Sequence, residues 1–491
     1  MRLLNYPIIT KIYKEFQMKK AEKNISRVRS NPPEVYIKRC EEYDREKILK
    51  IIREGMNALK YAPQGRVFVK PNVVLALGDR YGTAAYTAPE LVGSALVALS
   101  QTPGVSRVDM GENTAVGFPT RHCFSKAGYY RELRQVKKRA KAPVRIFCID
   151  EELRDRYFIG GAVHDVLRIP RKMARSDSKV YLPKLKCHCV STMTGAVKLN
   201  IGICSDDERS IRHDFMLDDK IVDLLAAGYP DFIIMDAVEV GVGNEAVPTS
   251  RKLGLILMGK NPLAVDLVGA RLLGYALEEV PYLKRAVERG YTPGSLKDVR
   301  LMGDITSLKG LDDHAKRLLP HDGAYTRWQD VNKEFARLHA PIRLYHGQTP
   351  GAKKGTCDTG CIMGIKMYMG FMEAMAGDRA FLNAKPHIIV IGRPEGTIDA
   401  EGKIVFTIGT CSRAHITNAK KIYHIDRCFT TASDMSQVMP QKTGMPSPYA
   451  RPVLIAPLLG RVLIASLMKL VKFRYFQDIG HFMSKMFLKK F

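Results

Sequence analysis

Short apolar runs alternate with longer amphipathic stretches through the first 305 residues of the chain. The runs have the length and the β-branched content of buried strands; they are 66–69, 106–110, 144–148, 179–182, 232–236 and 253–257. The stretches 88–100 and 262–273 are long enough for helices, and the second starts with Pro262, which suits a first helical turn. Strands that alternate with helices need crossover connections, so the pattern predicts a mostly parallel, Rossmann-like α/β sheet.

The pattern restarts after a less regular region that contains a charge-mixed, helix-like stretch at 328–338. Helices are predicted at 362–376 and near 414–420, and strands at 387–391, 403–407 and 421–425. A second, smaller α/β domain is therefore expected. The predicted parts are a basic N-terminal extension (1–62), a main α/β domain (63–305), a linker region (306–344), a cysteine-containing α/β domain (345–450) and an amphipathic basic C-terminal appendage (451–491).

Positive charge is concentrated at the two ends of the chain. The formal net charge is +27, and Lys and Arg outnumber Asp and Glu by 8 to 2 in residues 1–30 and by 8 to 1 in residues 451–491. Nucleic-acid binders more often spread their charge along a groove, so a nucleic-acid partner is not expected. Basic residues mixed with Leu, Ile, Met and Phe suit an anionic membrane surface better.

The C-terminal appendage carries apolar residues at helical spacing. They are Leu459, Val462, Leu463, Leu467 and Leu470, followed by aromatic residues from Phe473 to Phe487. Arg461, Lys469 and Lys472 fall together on one flank, which predicts an interfacial helix whose basic side chains meet anionic lipid. The alternative is a helix that packs on its own protein, on a second copy in a homo-oligomer, or in a larger complex.

Cysteine usage and hydropathy predict the compartment. The ten cysteines show no dense small-domain pattern, and the N-terminus has no long apolar region before a cleavage site. No run of 18 uncharged apolar residues occurs, because Pro457 and Arg461 interrupt the longest candidate. We expect a cytoplasmic protein that binds the inner membrane face peripherally, if its ends contact a membrane.

The segment from Leu182 to Lys198 contains the densest candidate chemistry, in what is predicted to be a polar loop between a strand and a helix. The ends of parallel strands are where α/β folds place their sites. We expect catalytic roles for His188, Lys198 and His213, and binding of a phosphate or carboxylate by Lys184, Lys186, Thr194, Arg209 and Arg212. A buried loop whose Cys and His side chains only pack and hydrogen-bond is the alternative.

Four cysteines of the second domain are predicted at neighbouring element ends. Cys357 and Cys361 precede a helix, whereas Cys411 and Cys428 each follow a strand. Thiolates placed in this way can ligate a transition metal or an iron–sulfur cluster. The spacing matches no standard signature, so buried structural cysteines and reactive thiols remain alternatives.

Several motifs in register resemble the family known as domain of unknown function 362. They include 67–72, 87–92, Gly111-Glu112, Asp236 and 254–274, and the resemblance spans residues 63–305. Members are largely uncharacterised, and many have a fused ferredoxin segment. This chain lacks the Cys-x2-Cys-x2-Cys-x3-Cys-Pro run of such a segment, so the resemblance does not imply their cluster.

The region that begins with the segment from Leu182 to Lys198 is distantly similar to part of lactate racemase and its relatives. In that family a lysine carries a nickel-pincer nucleotide, with one histidine ten residues before it and another about fifteen after. His188 and His213 stand at these spacings from Lys198. The family's loop is rich in Gly, Ser and Arg before its lysine, whereas Thr194-Gly-Ala-Val197 precedes Lys198 here, which places the cofactor in doubt.

Together these features predict a metal- or iron–sulfur-dependent enzyme with a cleft between its two α/β domains. Redox or proton-transfer chemistry on an anionic small molecule is the expected reaction. A non-catalytic subunit associated with a membrane or a complex, in which the cysteines are structural, is one alternative. A racemase or isomerase relative with the nickel-pincer nucleotide is the other.

Overall fold

A computed structural model describes residues 6–78, 83–243, 245–319, 331–352, 355–377, 379–428, 430–447 and 452–480. Eighteen strands lie in these ranges. They are β1 (Glu34–Arg39), β2 (Gly65–Pro71), β3 (Val105–Glu112), β4 (Val144–Cys148), β5 (Arg154–Phe158), β6 (Val166–Pro170), β7 (Ser178–Leu182), β8 (Lys184–His188), β9 (Thr192–Thr194), β10 (Phe232–Val242), β11 (Thr249–Gly259), β12 (Arg300–Gly303), β13 (Ile342–His346), β14 (His387–Ile391), β15 (Thr397–Asp399), β16 (Ile404–Ile408), β17 (His415–Thr417) and β18 (Lys421–Ile425).

Sixteen α-helices accompany the strands in the same ranges. They are α1 (Tyr6–Ser30), α2 (Arg45–Ala58), α3 (Pro89–Ser100), α4 (Thr120–Lys126), α5 (Tyr129–Arg139), α6 (Arg171–Ala174), α7 (Asp206–Ser210), α8 (Leu217–Asp223), α9 (Leu225–Gly228), α10 (Pro262–Leu272), α11 (Pro281–Glu288), α12 (Leu308–Ala315), α13 (Val331–Arg337), α14 (Met363–Ala376), α15 (Ala432–Thr443) and α16 (Pro452–Val471).

The large sheet has ten strands and confirms the predicted mostly parallel α/β fold. Its main path is β12-β1-β11-β10-β7-β2-β3-β4, and β8 pairs with β10 and β9. The contacts of β10 with β7, of β7 with β2, and of β2 with β3 are all parallel, as the crossover helices require. Buried side chains form a core on each face, one under α10 and α11 and one under α2 and α3. Strand β1 lies inside this sheet although it comes from the predicted N-terminal extension.

A second sheet contains four parallel strands in the order β13-β14-β16-β18. Helices α14 and α15 cover it with a core that includes Ile365, Met369 and Met372. The strands predicted at 387–391, 403–407 and 421–425 and the helix predicted at 362–376 therefore form. Strand β13 starts inside the predicted linker, and the boundaries of the five parts stay predictions.

Three local predictions are wrong. The helix expected near 414–420 is strand β17, which pairs with β15. The polar loop after Leu182 is instead the hairpin β8–β9, because β10 extends far enough to pair with β8. Asp236 does not end a strand, since β10 continues through Gly241 to Val242 after an irregularity between Ala237 and Glu239.

The C-terminal appendage packs in the opposite orientation to the one its pattern suggests. Lys472 pairs with Glu152 at 2.6 Å, and Arg461 donates to Ser125 Oγ at 3.3 Å. Every residue of 457–480 that is exposed is uncharged, and Leu463 and Phe473 are 71% and 66% exposed. The basic flank thus faces the protein and the apolar stripe faces outward.

The described helices contain none that is long and apolar enough to traverse a bilayer. The aromatic and basic residues that the sequence places after 480 lie outside the described residues.

Candidate functional site

The hairpin β8–β9 separates its side chains onto two faces, because strand side chains alternate. Cys187 and Met193 pair across the hairpin and enter the core under α10. Lys186, His188 and Thr194 therefore share the opposite face, where Lys186 pairs with Thr194. This alternation brings three of the predicted site residues together on one surface.

The imidazole of His188 is held in one protonation state. The N–H groups of Val190 and Ser191 donate to its Nδ1 at 3.1 and 3.3 Å. Because Nδ1 accepts these bonds, the proton of the neutral ring is on Nε2, which lies 3.6 Å from Glu245 Oε1. Burial, with help from Lys198, lowers the pKa of His188 well below its ordinary value, so the ring is a neutral donor at physiological pH.

Glu245 is the buried carboxylate of the site. It accepts hydrogen bonds from the backbone N–H of Cys189 at 3.1 Å and from its thiol at 3.2 Å. Burial and the adjacent Glu245 raise the pKa of Cys189 well above its ordinary value, so this cysteine stays a thiol. Sequence reasoning missed Glu245, which directly follows the glycine-rich segment 241–244.

Lys198 lies at the centre of the electrostatics of the site. It is half-buried and forms no ion pair within the described part of the chain. Burial lowers the pKa of its amine to about 8, although nearby Glu245 and Cys189 oppose the shift. Lys198 in turn lowers the pKa of both His188 and His213, so all three predicted catalytic side chains lie within electrostatic reach of one another.

His213 connects the hairpin region to the second sheet. Its Nδ1 lies 2.9 Å from the carbonyl oxygen of Thr359, just before α14. Burial, followed by Lys220, lowers the pKa of His213 to about 4. From α14 the buried Lys366 approaches Cys189 closely enough to affect its pKa, and Met363 packs against Cys189. The site is therefore a cleft with one wall from each α/β unit.

Two buried hydroxyls in the hairpin have no hydrogen-bond partner among the described residues. They are Ser191 Oγ and Thr194 Oγ1. Buried polar atoms are almost always hydrogen-bonded in folded proteins, so such atoms beside a half-buried lysine indicate room for a polar ligand.

Most of the predicted anion-binding cations already have partners within the protein. Lys184 pairs with Asp236 at 2.9 Å, and Lys186 donates to the carbonyls of Ala85 and Glu245 at 2.6 and 2.9 Å. Arg209 donates to three carbonyls, including that of Asn113 at 2.6 Å. Arg212 is exposed and lies 3.4 Å from Asp214. These four are thus engaged by protein groups rather than turned toward a shared ligand.

The backbone N–H groups that follow Thr194 are also occupied. Those of Ala196 and Val197 donate to the Asp266 carboxylate at 2.6 and 3.0 Å. Burial raises the pKa of Asp266 to about 7 despite these bonds. Asp266 is a second residue that sequence reasoning missed as a functional neighbour, even though it lies in the family motif 254–274.

His188, Cys189 and Glu245 are types of residue that could hold a metal ion. One ligand atom from each lies within 4.8 Å of the others, and no other such group occurs in the described ranges. An ion there would have to replace the proton on His188 Nε2 and the thiol proton of Cys189, because a metal binds the unprotonated nitrogen and the thiolate.

The four cysteines predicted to bind a metal lie around the end of the second sheet. A Cβ on Gly409 would lie 2.8 Å from the Cys361 sulfur and 4.0 Å from that of Cys411, so these two sulfurs flank this glycine. Burial, and then Cys411 and Cys428, raise the pKa of Cys361, while burial and Cys361 raise that of Cys357 to about 12. No three of the sulfurs come within 4.8 Å of one another.

Comparison with known proteins confirms the family resemblance over part of the chain. Residues 67–271 match the family described as domain of unknown function 362. A thylakoid-associated protein of Synechocystis is 27% identical over 238 residues, which cover 47% of this chain and 70% of that protein.

The lactate racemase apoprotein from Thermoanaerobacterium thermosaccharolyticum is a weak structural match. Its TM-score is 0.31 at 11% identity, over 74% of this chain and 69% of that one. The residues here do not fit the nickel-pincer arrangement well, because His188 Nδ1 is taken up by backbone donors and Nε2 bears a proton.

Proposed function

We propose that the protein is an enzyme that transfers a proton at an anionic small molecule bound in the cleft between β8–β9 and α14. The observation that carries the proposal is the Lys198 amine, whose pKa of about 8 leaves roughly a fifth of it neutral near physiological pH. Less than about one in a hundred ordinary lysines would be neutral there. A desolvated neutral amine is a competent base.

The neighbours of Lys198 suit such a reaction. The neutral amine would accept a proton from a carbon or hydroxyl group beside the anionic group of the substrate and become an ammonium ion. The buried Lys366 supplies positive charge from the opposite wall. His188 can donate from Nε2, since Val190 and Ser191 fix its tautomer. The hydroxyls of Ser191 and Thr194 offer further hydrogen bonds.

The first prediction is that Lys198 titrates near pH 8. Pulse acylation across a pH series, read by peptide mass spectrometry, should give half-maximal labelling of Lys198 near this value, because only the neutral amine reacts. Lys316 is the internal control, since its hydrogen bond to Asp313 raises its pKa. The proposal fails if the two lysines follow the same pH curve. Lys198→Ala should remove the labelling seen near pH 8 with little change in thermal stability. A large loss of thermal stability would instead indicate a structural role for Lys198.

We also propose an iron–sulfur cluster as the cofactor bound by Cys357, Cys361, Cys411 and Cys428. One zinc ion would need its sulfurs about 3.8 Å apart, given Zn–S bonds of about 2.3 Å. Among the described residues, no three of these sulfurs fall within 4.8 Å of one another. A cluster accepts wider spacing, because each thiolate binds a different iron. Gly409 keeps a side chain out of the space between Cys361 and Cys411.

The second prediction is that anaerobic incubation with ferrous iron and sulfide gives a broad visible absorption band and about four irons per chain. Cys361→Ala and Cys411→Ala should each abolish the band. Cys123→Ala, a change at a buried cysteine in the core under α3, should not. Zinc uptake without sulfide, or no metal uptake, would contradict the cluster.

A peripheral location on a membrane is a further part of the proposal. The supporting observation is the outward apolar face of residues 457–480. Exposed apolar patches of this kind typically mark membrane or protein contacts. The name of the Synechocystis relative, a thylakoid-associated protein, agrees with a membrane contact. We infer that this face inserts into the interfacial region of the bilayer, with the cytoplasm as the compartment of the rest.

A further inference from the structure

An apolar cavity of about 160 Å³ lies where the two α/β units and α16 meet. Val74 and Phe118 come from the main unit, Met367 and Phe371 from α14, and Leu458 from α16. The polar groups among its lining residues belong to His122, Lys126, Tyr368 and two serines, and the other lining residues are apolar. Apolar cavities of about 150 Å³ stay dry and accept a molecule the size of benzene.

The cavity shares a wall with the candidate site. Ala246 lines it and directly follows Glu245, the carboxylate that accepts from Cys189. Met367 lines it as well and packs against the cluster of Cys189 and Met363. The neighbouring Lys366 approaches Cys189 from the same helix. An apolar volume therefore adjoins a cleft whose lysines favour an anion.

We infer that the cavity binds the apolar part of the substrate, which is an anionic molecule carrying a benzene-sized apolar group. The inference rests on the proposed function, because the anionic group would lie at Lys198 while the apolar group fills the cavity. Charge complementarity selects an anionic group, since Lys198 and the buried Lys366 both approach Cys189. The cavity volume of about 160 Å³ accommodates one benzene-sized group.

Three related probes test this inference by titration calorimetry: 3-phenylpropionate, propionate, which lacks the ring, and 3-phenylpropylamine, which carries the opposite charge. Phenylpropionate should bind on the order of tenfold or more tighter than propionate, because its ring leaves water. It should also bind tighter than the amine, which the lysines repel. Equal binding of phenylpropionate and propionate would contradict binding of the ring in the cavity. Equal binding of phenylpropionate and the amine would contradict the preference for an anionic group.

Variants that fill the cavity locate the binding. Ala246→Leu should weaken phenylpropionate by on the order of tenfold, because the added side chain occupies the ring's volume. Ala432→Leu fills the cavity from α15 and serves if the first variant does not fold. Ala376→Leu, at an exposed position of α14, is the matched control and should bind as the unmodified protein does. Unchanged phenylpropionate binding in both cavity variants would contradict the inference.

Failure of this inference is distinguishable from failure of the proposed function. If Lys198 is labelled near pH 8 but phenylpropionate binds no tighter than propionate, only the inference about the cavity fails. If Lys198 titrates with the pKa of an ordinary lysine, the proton-transfer proposal fails, whichever of the probes bind.

Discussion

The full-length protein is expected to float with lipid vesicles, and high salt should not release it. Amphipathic basic helices normally bind through their lysines and detach as salt screens the charge. Here Lys472 is paired with Glu152, and the buried Arg474 donates to the Glu152 carbonyl at 3.1 Å, so these cations face the protein instead of lipid. Binding should therefore depend on burial of apolar side chains, which salt does not weaken.

Two substitutions on the outward face test this mechanism. Leu463→Glu combined with Leu467→Glu should reduce partitioning by about a hundredfold, because two leucines lose a burial free energy of about 1.5 kcal/mol or more each. Both leucines are exposed, so the change should leave the fold intact. Lys469→Ala is the control and should float normally. Release by salt, or normal flotation of the double variant, would contradict the proposal. A stable dimer in solution that the double variant disrupts would instead identify this face as a contact between copies.

Asp236→Asn is expected to cost about 3–5 kcal/mol of unfolding free energy, because it removes the charge that compensates a buried lysine. The Asp236 carboxylate accepts from Lys184 at 2.9 Å, from the Tyr43 hydroxyl at 2.9 Å and from the Ala88 N–H at 2.9 Å. Side chains of Asp236 and Lys184 are 0% and 1% exposed. Water therefore cannot solvate Lys184 once its partner is neutral.

The matched control is Asp312→Asn, which breaks the exposed pair with Arg271. Those side chains are 40% and 47% exposed, so the expected loss is about 1 kcal/mol or less. Urea denaturation of both variants measures the difference. Replacing both buried partners, as in Asp236→Leu with Lys184→Met, should recover part of the loss, because no uncompensated charge remains. Similar losses in the two single variants would contradict a special role for the buried pair.

The strand and helix pattern was predictable because periodicity is a local property of the chain. Strand β14 has buried apolar residues on both faces, β2 has a buried apolar run at 67–69, and α10 begins with Pro262 after the capping side chain of Asn261. These features are visible in any window of about ten residues. The parallel sheet followed from the alternation of strands with helices.

Contacts between distant segments determined which cationic side chains are available to a ligand, and the sequence could not show this. Lys184, Lys186 and Arg209 look equivalent to Lys198 in sequence, yet the first three meet a carboxylate or carbonyls brought by other strands and loops. Only Lys198, among these four, lacks a hydrogen-bonded partner in the described ranges. Glu245 acquires its importance in the same way, because β10 and the segment after it bring the carboxylate to Cys189.

The appendage shows the same division most clearly. Its sequence determined an amphipathic helix with Leu463 and Lys472 on different sides, because that separation follows from 100° per residue. Which side faces the protein depended on what the helix meets. Glu151 and Glu152 lie where it docks and attract Lys472, so the leucines face outward. Spacing along a chain determines the faces of an element, whereas the charges contributed by distant segments decide which face is buried.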